Sequence, residues 1–174
     1  MKKFGGKVLF LDKKDINTDE IIPAKYLTEI TKESLKPYCL EDLKLEGFDQ
    51  KRDLPGKGVI ISRSNFGCGS SRENAPWALE ANGITAVIAE SFARIFRQNM
   101  FNCGMMAIEL PGKTVDKIFD KYRNTAAAVT IDPEKNILII ENEGSSDTYP
   151  FRLDPFYAEL VKAGGWVDYA DKRY

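Results

Sequence analysis

Val59-Ile60-Ile61-Ser62-Arg63-Ser64-Asn65-Phe66-Gly67-Cys68-Gly69-Ser70-Ser71-Arg72-Glu73 runs an apolar strand into a corner of two glycines, two serines and an arginine. A helical pattern follows, from Ala75 to Asn82. At such a strand-to-helix corner, backbone N–H groups and the positive end of a helix face a bound anion. Arg72 adds a planar fork matched to a carboxylate or phosphate. Ser70 and Ser71 add hydroxyls that can act as base or nucleophile. The stretch reads as a site for an acidic substrate.

The pattern alternates on either side of this corner. Asn82-Gly83 stops the helix. Ala86-Val87-Ile88-Ala89 is a buried strand, and Ser91 is placed to cap a helix with Phe92, Ile95, Phe96 and Met100 on one face. Gly104 ends that helix, Met106 to Leu110 is a third strand, and Pro111-Gly112 a turn. This β-α-β-α-β order implies parallel strands joined by right-handed crossovers. Upstream, Val8 to Leu11 is a strand and Asp15 to Glu20 a polar turn. Residues 28–42 read as a mobile loop with a short helix, and Gly47 to Gly58 as a loop. Downstream come a helix over Thr114 to Asn124 and a hairpin of Ala127–Ile131 with Asn136–Glu141. A last helix starts at Asp154-Pro155 and stops at Gly164-Gly165.

The chain has 174 residues, 43% of them hydrophobic and 29% charged, with a net charge of −1. That suits one domain with a full core, so residues 1–174 are read as a single domain. The charge gives little electrostatic support for nucleic-acid binding. The apolar run at Val8 to Leu11 is too short for a signal-peptide core, and no membrane-length apolar span follows, so the expectation is cytoplasmic. Three scattered cysteines (Cys39, Cys68, Cys103) give no C-x-x-C pair. A disulfide framework or a self-contained metal site is therefore not expected, and the metal expectation for this chain is none. The chain has no histidine. That removes the usual general base, so serine, lysine, carboxylate or tyrosine must carry any chemistry, or a partner must.

Each candidate has a plainer reading. Ser70 to Glu73 fits a helix-capping box, with Ser70 as the cap. Against that, Pro76 would fall inside a helix begun at Ser70, so the helix can instead start near Asn74 and leave 70–73 as a special turn. The glycine spacing is not a dinucleotide fingerprint, because Arg72 stands where its third glycine belongs. Asn17 to Glu20 is a simple turn, or it holds Asp19 beside Arg72. Cys68 reads as an inert thiol, Arg94 and Arg97 as solvated, and Trp77 and Trp166 as core or interface.

Three stretches together resemble a known family. Gly67 to Ala75, Ala89-Glu90-Ser91-Phe92-Ala93-Arg94-Ile95-Phe96, and Asp15-Ile16-Asn17-Thr18-Asp19-Glu20-Ile21-Ile22-Pro23-Ala24-Lys25-Tyr26-Leu27 look like the swivel domain of the aconitase superfamily. The match is to its free-standing form, the small subunits of 3-isopropylmalate dehydratase and its relatives, and it covers nearly the whole chain. The resemblance implies a three-layer swivelling β/β/α domain with a mainly parallel central sheet. It also implies a hydro-lyase that removes water from a hydroxy diacid and returns it with the hydroxyl on the neighbouring carbon, in leucine biosynthesis. The [4Fe–4S] cluster and the histidines would belong to a large partner subunit, with no cofactor bound by this chain. Ser70 matches the catalytic base; Ser71 and Arg72 match groups that grip substrate carboxylates; Thr18 and Asp19 match supporting active-site positions.

Two departures from the family pattern stand out. Asn74 replaces the family's usual histidine. The specificity loop here is Tyr26, Leu27, Thr28 and Glu29, with no arginine to bind an extra carboxylate. That favours isopropylmalate over homocitrate or citrate, unless Lys25 or Lys32 replaces the arginine, and leaves a dimethylmalate or methylmalate dehydratase open. A non-catalytic anion-binding regulatory module is the alternative of another class.

Overall fold

The computed structural model describes residues 3–28 and 31–173. Four parallel strands form one half of the sheet: β1 (Phe4–Leu11), β2 (Lys57–Ser62), β3 (Ala86–Ala89) and β4 (Met106–Glu109). Nearly every residue of β2 to β4 is buried, as expected of parallel strands covered on both faces. The other half is antiparallel: β5 (Ala128–Asp132), β6 (Ile137–Asn142) and β7 (Ser145–Pro150). The sheet has seven strands in the order β4-β3-β2-β1-β5-β6-β7. It is an α/β fold on a mixed sheet, because β1 pairs in parallel with β2 and antiparallel with β5.

The helices are α1 (Thr18–Ile21), α2 (Lys32–Leu35), α3 (Gln50–Asp53), α4 (Asn74–Ala81), α5 (Arg94–Asn102), α6 (Gly112–Tyr122), α7 (Pro155–Ala163) and α8 (Trp166–Arg173). In α6, Val115, Ile118, Phe119 and Tyr122 are buried, the spacing of one helical face. Its Phe119 ring meets Phe10 of β1 edge-on at 5.6 Å, and Tyr122 Oη donates to Asp147 of β7 at 2.5 Å. One helix thus ties the two halves of the sheet.

Several expectations are corrected. Ser91 does not cap α5; Ala93 holds that position, and Ser91 Oγ accepts from the Asn65 amide at 2.8 Å instead. Phe92 therefore precedes the helix, and Ile95 is 37% exposed rather than on the buried face. Pro111-Gly112 is not a free turn, since Pro111 precedes the first residue of α6. Asp15 to Glu20 is more than a turn: Asn17 Oδ1 accepts from the Glu20 amide at 2.9 Å, and Glu20 accepts from the Asn17 amide, so a capping box starts α1. Strand β7 and helix α8 lie beyond the expected elements. Within 31–42, Leu35, Cys39 and Leu40 are fully buried, so this segment contributes to the core. Arg97 is not simply solvated, because it pairs with Glu109 at 3.0 Å and lies over the rings of Phe101 and Tyr157.

Candidate functional site

The corner after β2 is held from both sides by a short continuation of the parallel sheet. The Gly67 amide donates to Ile16 O at 2.7 Å, and the Thr18 amide to Cys68 O at 2.8 Å. On the other flank, the Phe66 amide donates to Ser91 O and the Ala93 amide to Phe66 O, both at 3.0 Å. The segments leaving β1, β2 and β3 therefore run side by side past the strand ends, where open α/β sheets bind ligands. Ser62, fully buried, donates to Leu11 O or Lys13 O at 3.0 Å and fixes where the chain leaves β1.

Gly67 and Gly69 are required here. Gly67 has φ +82°, and a Cβ on it would lie 2.1 Å from Phe96 Cγ, so the chain lies flat against that ring. Gly69 has φ +100°, and its Cβ would lie 3.3 Å from Thr18 Oγ1. Thr18 is 1% exposed, and its hydroxyl has no hydrogen-bond partner among the described residues. Thr18 thus lies under the corner, an orphaned buried polar group of the kind that marks functional sites.

Helix α4 begins at Asn74, and its N-cap, Glu73, makes no side-chain cap bond. The capping box at Ser70 is therefore not formed. Residues 70–73 make a tight turn in which the Arg72 amide donates to Ser70 O at 3.0 Å. Ser70 and Ser71 are exposed. Among the described residues, the amides of Ser70 and Ser71 have no hydrogen-bond partner. Free hydroxyls, free amides and a helix N-terminus converge at this turn.

Arg72 lies deeper, with its side chain 14% exposed. Its Nη1 pairs with Asp19 Oδ1 at 2.5 Å and donates to Ile22 O at 3.4 Å. The Nε–Nη2 edge has no partner among the described residues, and this is an edge that can take a carboxylate with two parallel bonds. Asp19 is 63% exposed, so the pair contributes at most about 1 kcal/mol; its effect is to aim the guanidinium. Ile22 O was not foreseen, since a backbone acceptor leaves no residue-type signal.

Of the expected loop residues, Tyr26 ends a 3-10 turn (Ala24–Tyr26) and stacks on Tyr38 at 3.8 Å. Leu27 is 42% exposed, Thr28 is exposed, and Glu29 lies outside the described residues. Lys32 is committed elsewhere, to Glu80 at 2.8 Å and toward the Trp77 ring. Asn74 is the first residue of α4.

Cys39 and Cys103 are buried, and Cys68 is half-buried with its Sγ 3.4 Å from Asp15 O. Burial pushes the Cys103 thiol up to about 11, and burial with the nearby Asp15 carboxylate raises Cys68. Among the described residues, no group of three His, Cys, Asp or Glu is placed to hold a metal, and the three thiols do not form a set that fits a cluster. No described helix is long and apolar enough to cross a membrane.

Residues 1–113 match the Aconitase C-terminal domain family. The chain is 42% identical over 160 residues to the 3-isopropylmalate dehydratase small subunit of Thermodesulfovibrio yellowstonii, covering 91% of this chain and 89% of that one. It is 37% identical over 172 residues to that of Bacillus velezensis, covering 94% and 85%. A crystal structure of 3-isopropylmalate dehydratase from Methanocaldococcus jannaschii superposes with a TM-score of 0.78 at 34% identity, over 99% of this chain and 95% of the other.

Proposed function

The chain belongs to the 3-isopropylmalate dehydratase small-subunit family of the aconitase superfamily, and from that premise we propose that it is the small subunit of a hydro-lyase interconverting 2- and 3-isopropylmalate in leucine biosynthesis. It works with a large iron–sulfur subunit. The observation that carries this reading is the open turn at 70–73, with an exposed serine, free amides and an arginine whose carboxylate-binding edge is unused.

Arg72 takes one substrate carboxylate on its Nε–Nη2 edge, and Ser71 donates to a carboxylate oxygen. That grip presents the adjacent C–H to Ser70 Oγ, which takes the proton as base. A serine oxygen with negative character is unfavourable in water; the amides at 70–71, the α4 N-terminus and the Arg72 charge lower that penalty. Thr18 supports the backbone at Gly69 from beneath, and Asp19 keeps Arg72 aimed. A [4Fe–4S] cluster, held by the large subunit and not by this chain, would supply Lewis-acid chemistry toward the substrate hydroxyl. The turn is open on this chain alone, so the large subunit must also exclude water.

The substrate's alkyl group sits toward Leu27. Exposed Leu27 and Thr28 offer no cation, Lys25 lies over the Tyr26 ring at 5.1 Å, and Lys32 is engaged by Glu80, so no uncommitted cation among these residues matches a third carboxylate. The holoenzyme therefore prefers isopropylmalate to homocitrate or citrate.

The test is steady-state turnover of the chain reconstituted with its large subunit. Ser70→Ala should lower kcat by about 10²–10⁴ while the complex still assembles, since the side chain is exposed. Near-normal turnover in the assembled variant would refute the base assignment. Equal kcat/KM on isopropylmalate and homocitrate would refute the substrate reading.

A further inference from the structure

A groove of about 450 Å³ runs along the outer face of α4. Glu73, Trp77 and Glu80 line it at helical spacing, facing Cys103 at the end of α5 and Val167 and Asp168 at the start of α8. Lys32 offsets Glu80 at 2.8 Å. Glu73 and Asp168 are exposed and pair with no cation among the described residues. Next to the groove-lining Val167 (70% exposed) is Trp166 (48%), and Phe156 of α7 is 46% exposed; these are three of the five exposed large apolar residues among the described residues. Tyr169 joins them, its ring 5.8 Å from both Phe156 and Trp166. Glu73 directly follows Arg72, so this surface is continuous with the catalytic turn.

We propose that the groove and the Trp166–Val167 shoulder seat a basic, partly apolar segment of the large subunit. The proposal rests on the reading of this chain as a dehydratase small subunit and says which face that subunit covers. Three carboxylates (Glu73, Glu80 and Asp168) against the single cation Lys32 leave the groove lining net acidic, which selects a cationic partner. Lys32 already lies toward the Trp77 ring, 6.0 Å from its centroid, which shows that this groove receives a cation over its indole. Exposed aromatics next to a polar groove are the composition of an interface anchor. A partner that closes the turn at 70–73 has to pass Glu73. A second copy of this chain fits less well, because a two-fold contact through this face would bring two net-acidic grooves together.

Photochemical oxidation footprinting of the chain, free and bound to its cluster-loaded large subunit, tests this directly. Trp77 and Trp166 are the only tryptophans of the chain, so both report on this one surface. Assembly should reduce oxidation of both severalfold. Asp168→Lys and Val167→Asp, both at exposed positions, should each weaken binding to the large subunit by about tenfold or more with unchanged thermal unfolding, and the Asp168→Lys effect should shrink at high salt. Equal oxidation in the free and bound chain overturns the proposal, as does binding within about twofold of wild type for both variants. Protection that grows with the chain's own concentration, without the large subunit, assigns the surface to a second copy and also overturns it. A wild-type chain that binds no large subunit removes the subunit reading itself, and the proposal with it.

Discussion

Replacing Arg72 by lysine keeps the charge and removes the planar fork. In the structure, Nη1 is spent on Asp19 and Ile22 O, and the Nε–Nη2 edge has no partner among the described residues. A lysine ammonium in the same place sits beside Asp19 and can offer the substrate carboxylate one bond where the fork offers two. One charge-assisted hydrogen bond is worth about 1.5–3 kcal/mol, so kcat/KM should fall about 10- to 150-fold. A clamp of this kind would grip the carboxylate before, during and after proton removal, so the loss should appear mainly in KM, with kcat changed much less. The assay is initial-rate kinetics on the reconstituted complex with isopropylmalate, at small-subunit concentrations that saturate assembly. A KM within about twofold of wild type would refute the reasoning, because the free edge would then not be the carboxylate clamp.

Two further outcomes concern the frame around the site. Gly67→Ala puts a methyl into the Phe96 ring at a left-handed φ; strain and overpacking together should cost about 3 kcal/mol, a fall in Tm of about 6–12 °C by circular dichroism. An unchanged Tm would mean that the ring moves aside freely. Asp12 bonds Arg63 at 2.7 Å and also pairs with Arg123; the Arg63 bond, chiefly, holds its carboxyl below the usual carboxylate range. A carboxylate depressed in the folded state stabilises it above the unfolded pKa of about 4 and loses that contribution as pH falls through the folded value. Wild type should therefore lose more Tm between pH 5 and pH 2, roughly, than Asp12→Asn does, and parallel curves would remove Asp12 from the acid response.

The corner was readable because each of its parts leaves a trace in residue type. Glycines mark the close approach to Phe96 and Thr18, and Val59 to Ile61 and Ala86 to Ala89 are apolar throughout because both sheet faces are covered. Strand β7 was missed because Ser145-Ser146-Asp147-Thr148-Tyr149-Pro150 is a polar edge strand with one partner, β6, whose inner face of Ser145, Asp147 and Tyr149 is only half-buried and so leaves no apolar alternation in the sequence. Helix α8 was missed because none of its residues is fully buried and Gly164-Gly165 reads as an end. The capping box at Ser70 and the one at Asn17 have the same residue spacing; only the second forms, because α4 starts at Asn74 while α1 starts directly after Asn17.

The sequence alone fixed the parallel β-α-β-α-β half, the position of the serine–arginine turn, and, through a residue pattern shared with a family, the chemistry to expect. These are properties of local spacing and side-chain type, which act within one or two turns of chain. Tertiary structure alone decided that Asp19 and Ile22 O, about fifty residues away, aim Arg72 while leaving one edge free, that Lys32 is taken by Glu80, and that the acidic groove opens beside the turn. Each of those depends on which groups from distant segments share a few ångströms of space, and hydrogen bonds and ion pairs act only at that range.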